Sequence, residues 1–101
     1  MSELGDKRKL FTKCVAQLLN QMLVAGYDPC LGKDGMKHMK NSLHYEGLAV
    51  DIDLFKDGKY LVATEDHRVF GEFWESLHKD CCWGGRFKDG NHYSVTYGGR
   101  K

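Results

Sequence analysis

Between Asp6 and Ala25 the apolar positions Leu10, Phe11, Cys14, Val15, Leu18, Leu19, Met22 and Leu23 recur at steps of three and four, while Lys7, Lys9, Lys13, Gln17 and Gln21 fill the opposite side. That period predicts an amphipathic helix, and Gly26 is its natural stop. Tyr27 to Asn41 breaks the pattern with Pro29, Gly32 and Gly35, so irregular chain is expected, with at most a helical turn over Met36 to Lys40. From Leu48 the period changes to two. Leu48, Val50, Ile52 and Leu54 point one way and Ala49, Asp51, Asp53 and Phe55 the other, which predicts a strand carrying two acids on one face. Lys56-Asp57-Gly58-Lys59 reads as a hairpin turn and Tyr60-Leu61-Val62 as the return strand. Thr64 is the expected N-cap of a second helix, with Glu65 and Asp66 at its positive end. Its inner stripe is read as Val69, Phe70, Phe73, Trp74 and Leu77, which leaves His67 and His78 to solvent. The helix fades near Asp80. Trp83 to Phe87 is a glycine-broken aromatic segment, Asp89-Gly90-Asn91 a turn, and His92 to Tyr97 a last strand with His92, Ser94 and Thr96 on one face. The sum is an α+β fold, a small antiparallel sheet packed against an N-terminal helix and a second helix. With no repeat and no linker, residues 1–101 are expected to form a single domain.

Composition narrows the function classes. The chain has 101 residues, 42% hydrophobic and 29% charged, with 12 glycines and one proline, so disorder and collagen-like repeats are excluded. Fifteen Lys and Arg against 14 Asp and Glu give a net charge of +1, and the longest basic run is Lys7-Arg8-Lys9. A nucleic-acid partner is therefore not expected. Nor is membrane insertion, because no apolar run approaches the roughly 20 residues that span a bilayer. Met1 to Asp6 does not read as a signal peptide, which implies synthesis in the cytoplasm and reduced thiols. Cys14, Cys30, Cys81 and Cys82 include no C-x-x-C, which suits neither a zinc knuckle nor a disulfide framework.

The candidate chemistry lies with the histidines. His44 and Asp51 flank a turn and the start of a strand, and His92 heads the final strand. Two imidazoles and one carboxylate are the ligand set of many catalytic zinc sites. Asp89, three residues before His92, could stand beside such a metal and move protons. On spacing alone such residues are more often a satisfied surface histidine and a turn-capping aspartate than a metal site, and there is no H-E-x-x-H. Trp83 reads as a core or pocket wall.

The wording around these residues resembles a known family. Ser42-Leu43-His44-Tyr45-Glu46-Gly47-Leu48-Ala49-Val50-Asp51 looks like the S-x-H-x-x-G-x-A-x-D motif of the zinc D-alanyl-D-alanine carboxypeptidases. That family includes VanX- and VanY-type enzymes and phage L-alanyl-D-glutamate endopeptidases. Trp83-Gly84-Gly85-Arg86-Phe87-Lys88-Asp89-Gly90-Asn91-His92-Tyr93 resembles its W-G-G segment followed by an acid, two residues and a histidine. Asp53 to Leu61 and Glu72 to Leu77 are similar to the short phage and prophage members, so the likeness runs from Gly26 to Tyr97.

The resemblance implies the VanX/VanY-like and hedgehog-like zinc peptidase fold, with one Zn²⁺ held by His44, Asp51 and His92 and with Asp89 as general base. It implies a monomeric hydrolase of peptidoglycan stem peptides, a phage-type endolysin or a D,D-carboxypeptidase without a wall-binding domain. Such a protein would reach the cell wall or periplasm after holin-type release. The family's upstream arginine, which stabilises the oxyanion, has no counterpart between Asp28 and Lys40. Charge at that position contributes roughly 3 kcal/mol or more to such reactions. Lys37 or His38 could substitute, or the segment could shape another pocket. Ser42 and Asp53 could orient the ligand residues from behind, with a hydrogen bond to nearby backbone the other reading of Asp53. The alternative function is a zinc-stabilised peptidoglycan- or protein-binding domain on the same scaffold, without turnover.

Overall fold

The computed structural model describes residues 2–32, 43–44 and 46–101. Among them are two α-helices, α1 (Glu3–Val24) and α2 (Thr64–Leu77), and five strands, β1 (Asp28–Leu31), β2 (Ala49–Lys56), β3 (Lys59–Leu61), β4 (Cys81–Trp83) and β5 (His92–Val95). All the strand pairs are antiparallel, in the order β1-β2-β5-β4. β3 pairs with Leu54 to Lys56 and β5 with Ala49 to Asp51, so the two share the length of β2. The architecture is the α+β fold expected from the periodicity.

The alternation along β2 divides the molecule into a dry side and a chemical side. Val50, Ile52 and Leu54 join Cys14, Leu18 and Met22 of α1, Phe70 and Trp74 of α2, and Tyr93 and Val95 of β5 in the main core. Both helices therefore pack on one face of the sheet. The opposite face carries Asp51 and Asp53. α1 begins where the Ser2 hydroxyl accepts the Gly5 N–H at 3.0 Å, and it turns Cys14, Leu18 and Met22 inward at four-residue steps. Edge-on contacts of Phe11 and Tyr93 with Trp74, at centroid distances of 5.9 and 5.8 Å, knit α1, α2 and β5 together. The Trp74 indole N–H donates to the Ser94 carbonyl at 3.0 Å.

Four expectations are corrected. The stretch read as irregular from Tyr27 holds β1, which pairs Asp28 with Phe55 and Leu31 with Ile52. Pro29 is tolerated because β1 is an edge strand, and its largely exposed residues left no alternation to detect. β4 was also unmarked; its three residues are held by pairing to β5. Ala63, not Thr64, is the N-cap of α2, and the Asp66 carboxylate accepts the Ala63 N–H at 3.2 Å in place of a hydroxyl cap. The inner stripe of α2 is rotated: His67, Phe70, Gly71 and Trp74 are buried, whereas Val69 is 62% exposed. His67 is thus a core residue, its Nδ1 2.8 Å from the Tyr93 hydroxyl. The rotation follows from Gly71, whose missing side chain lets the Trp83 ring lie against the helix.

The cysteines are free thiols. The buried Cys14 and Cys81 sulfurs lie 3.7 Å apart, and burial together with the neighbouring Cys14 pushes the Cys81 thiol pKa up, which keeps it protonated.

Candidate metal centre

β2 and β5 run antiparallel with Asp51 directly opposite His92. Because Tyr93 and Val95 enter the core, His92 and Ser94 project from the other face, beside Asp51 and Ala49. His44 arrives from the turn that leads into β2. That turn is closed by the Gly47 N–H donating to the His44 carbonyl at 3.1 Å and the Leu48 N–H donating to the Leu43 carbonyl at 2.8 Å. Leu43 and Leu48 are buried in a small second cluster, which pins the turn on both sides of His44. Gly47 has φ +75°, a conformation that other residues adopt only with strain.

The three side chains converge. His44 Nε2 lies 3.2 Å from His92 Nδ1 and 3.4 Å from Asp51 Oδ1, and His92 Nδ1 lies 3.5 Å from the same oxygen. Ligand atoms bound tetrahedrally at the ~2.0–2.1 Å typical of zinc stand ~3.3 Å from one another, so the triangle has the size such an ion needs. With two imidazoles and one carboxylate as donors, this group could hold a metal ion. The His44 and His92 side chains are 6% and 11% exposed and that of Asp51 26%, so the cluster is sheltered but open on the Asp51 side.

The electrostatics suit a cation. Burial by itself would raise the Asp51 pKa, but hydrogen bonds and charge from His44 and His92 override it and hold the carboxyl well below the usual carboxylate range. Burial alone would lower the His92 pKa. The Asp51 hydrogen bond, the main-chain oxygen of Lys101 and the Asp89 charge outweigh burial and raise it.

Asp89 sits on the turn immediately before β5. Its N–H donates to the Gly84 carbonyl at 2.8 Å, and its carbonyl accepts the His92 N–H at 3.1 Å. A side chain at position 84 would collide with the Asp89 carbonyl and with His92 Cβ, so glycine there is what lets the turn close over the histidine. Trp83 is fully buried between Gly71 and Gly85, with its indole N–H donating to the Gly90 carbonyl at 2.7 Å. It is a structural wall behind the turn. The Asp89 residue is exposed, and it lies outside the three-donor group while still acting on His92 through its charge.

Asp53 shares the sheet face of Asp51, yet its carboxylate accepts the Tyr60 hydroxyl at 3.2 Å. The structure thus brings His44, Asp51 and His92 together, places Asp89 on the turn that precedes His92, and gives Asp53 a partner on β3. Lys37, His38 and Ser42 lie outside the described residues. Two contributors were not named from the sequence. His92 Nε2 lies 2.9 Å from the main-chain oxygen of Lys101, and the Ser94 hydroxyl donates to that same oxygen at 2.7 Å. The alternation of Ser94 with His92 was the available signal; the approach of Lys101 depends on a chain reversal with no side-chain signature at Lys101 itself.

Compared with known proteins, the chain matches no family model and no curated sequence at a significant level.

Proposed function

We propose that the protein is a zinc-dependent peptidase of peptidoglycan stem peptides, a member of the D-alanyl-D-alanine carboxypeptidase family with the VanX/VanY-like and hedgehog-like fold. Within it the proposed form is a short phage-type L-alanyl-D-glutamate endopeptidase. The observation that carries the reading is the triangle of His44, Asp51 and His92 on the sheet face away from the helices, with the charge of the exposed Asp89 acting on His92. Its further support is the pair of motifs around His44 and His92 in the sequence.

When bound, zinc would polarise the scissile carbonyl as a Lewis acid and make water more acidic. The chain's own groups do the rest. His44, Asp51 and His92 leave one side open for substrate. Asp89 takes a proton from the attacking water as its oxygen adds to the carbonyl carbon, and returns it to the nitrogen as the C–N bond breaks. The products are a carboxylate and an amine. Acting on the wall, the protein would work outside the compartment in which it is made.

Incubation of the zinc-loaded protein with purified peptidoglycan should release new amine ends, and His44→Ala should release none. Equal release by the two proteins, or none by either, overturns the proposal. The absence of an arginine between Asp28 and Lys40 favours a second reading, a zinc-stabilised wall- or protein-binding domain without turnover. Asp89→Ala separates the two. For a peptidase it lowers the rate by about 10²–10⁴-fold while zinc content is retained, the usual contribution of a positioned acid–base group. For a binding domain it changes neither ligand binding nor melting temperature.

A further inference from the structure

Beyond β5 the chain reverses on itself. Tyr97 and Arg100 exchange both backbone hydrogen bonds, at 3.2 and 3.0 Å, around Gly98 at φ +59° and Gly99 at φ +77°. Two consecutive residues at positive φ make the two-residue hairpin turn that Gly-Gly favours, and any other residue there is strained. The reversal delivers the main-chain oxygen of Lys101 to the back of the metal cluster. It meets two donors there, the fully buried Ser94 hydroxyl at 2.7 Å and His92 Nε2 at 2.9 Å. The segment is also tied to α1, because Lys7 Nζ donates to the Thr96 carbonyl at 2.7 Å and pairs with Asp80 at 2.9 Å.

This contact has a chemical direction. A main-chain oxygen accepts and never donates, so the hydrogen between it and His92 belongs to Nε2. In the neutral ring the lone pair is then on Nδ1, the nitrogen that faces His44 Nε2 at 3.2 Å and Asp51 Oδ1 at 3.5 Å. We propose that the hairpin Tyr97 to Lys101 is a positioning device for the metal centre. The Lys101 oxygen, itself held by Ser94, fixes the tautomer and ring orientation of His92 so that Nδ1 is presented as a ligand atom. Partners of this kind, standing behind a ligand histidine, typically change metal affinity by about 10–100-fold. The inference rests on the metal-binding part of the function proposed above and is independent of peptide cleavage.

The test begins with the unaltered, metal-free protein at alkaline pH. Nitrogen-15 NMR of its histidine side chains should show His92 protonated at Nε2 and bare at Nδ1; the opposite tautomer overturns the proposal. Next, Gly98→Val together with Gly99→Val should disturb the hairpin. Zinc affinity, read by competition with a chromophoric chelator, should fall by about 10-fold or more, and the His92 tautomer should become mixed. Ser94→Ala, which keeps the hairpin and loses one of the oxygen's two holds, should move both readouts the same way by less. A purely structural hairpin would lower the melting temperature and leave tautomer and affinity as they were, and that result also overturns the proposal. Should the double variant not fold, the tautomer of the unaltered chain and the Ser94→Ala affinity decide. Failure of the peptidase reading would show as no amine release with these results intact.

Discussion

β5 has two faces, and each is attended by a buried histidine. On the core face Tyr93 meets His67, which is 2% exposed; on the other face stands His92, which is 8% exposed. The environments differ in charge. His67 has a neutral hydroxyl at 2.8 Å, and burial lowers its pKa, so it is a neutral filler between α2 and the sheet. His92 has the Asp51 carboxylate and a second imidazole in front of it and a main-chain oxygen behind, and its pKa is raised in spite of burial. Burial alone therefore does not distinguish a candidate ligand histidine from a packed one. What distinguishes it is a carboxylate and another donor converging on the same side of the ring, with the far nitrogen occupied.

That contrast can be broken most sharply on the chemical face. Asp51→Asn should weaken zinc binding by more than about 100-fold, the upper end of what the loss of an outer-shell partner costs, with secondary structure retained by circular dichroism. Retention of tight zinc binding would remove Asp51 from the ligand set. On the core face, Tyr93→Phe leaves the buried His67 Nδ1 without its partner. It should cost about 1–3 kcal/mol in denaturant unfolding while zinc affinity stays at the wild-type value.

The two histidines should also differ in sign with pH. A histidine whose pKa is lowered on folding from 6.5, as that of His67 is, binds its proton in the unfolded chain first. It contributes stability that is full above pH 6.5 and declines as pH falls toward the folded pKa, by at most about 1.4 kcal/mol per pH unit. His92 in the metal-free protein has the opposite sign: its contribution is full below pH 6.5 and is lost as pH rises through its raised pKa. Replacement of His67 by Phe should flatten the decline in stability below pH 6.5, measured by urea unfolding at a series of pH values. An unchanged slope would show that folding leaves the proton affinity of His67 unaltered. The smallest effect is expected at Val69, which is 62% exposed on α2. Val69→Lys should change stability by no more than about 0.5 kcal/mol, and a larger loss would restore Val69 to the packed stripe.

Local pattern carried much of the fold. The four-residue steps of α1, the two-residue alternation of β2 and the Asp57-Gly58 turn are properties of contiguous residues, and each formed where expected. β1 and β4 are short and owe their conformation to partners far along the chain, so nothing local announced them. The stripe of α2 was misjudged because Val69 is more apolar than His67; the decisive residue was Gly71, whose use is to admit the Trp83 ring. At the site, the convergence of His44, Asp51 and His92 was legible through motif wording and strand alternation. Tyr60 lies across the expected hairpin from Asp53, whereas the approach of Lys101 to His92 was not legible, because it depends on the later reversal at Gly98 and Gly99.

The donor set also has an order of assembly. His44 and His92 are 48 positions apart, and only the β2–β5 ladder brings them together, so the unfolded chain offers a metal one neighbourhood at a time. An ion taken by this triangle therefore recognises a chain that has already closed its long loop. Free metal at 100 times its dissociation constant would add about 2.7 kcal/mol to the folded state. Metal supply would thereby set part of the stability of the folded chain.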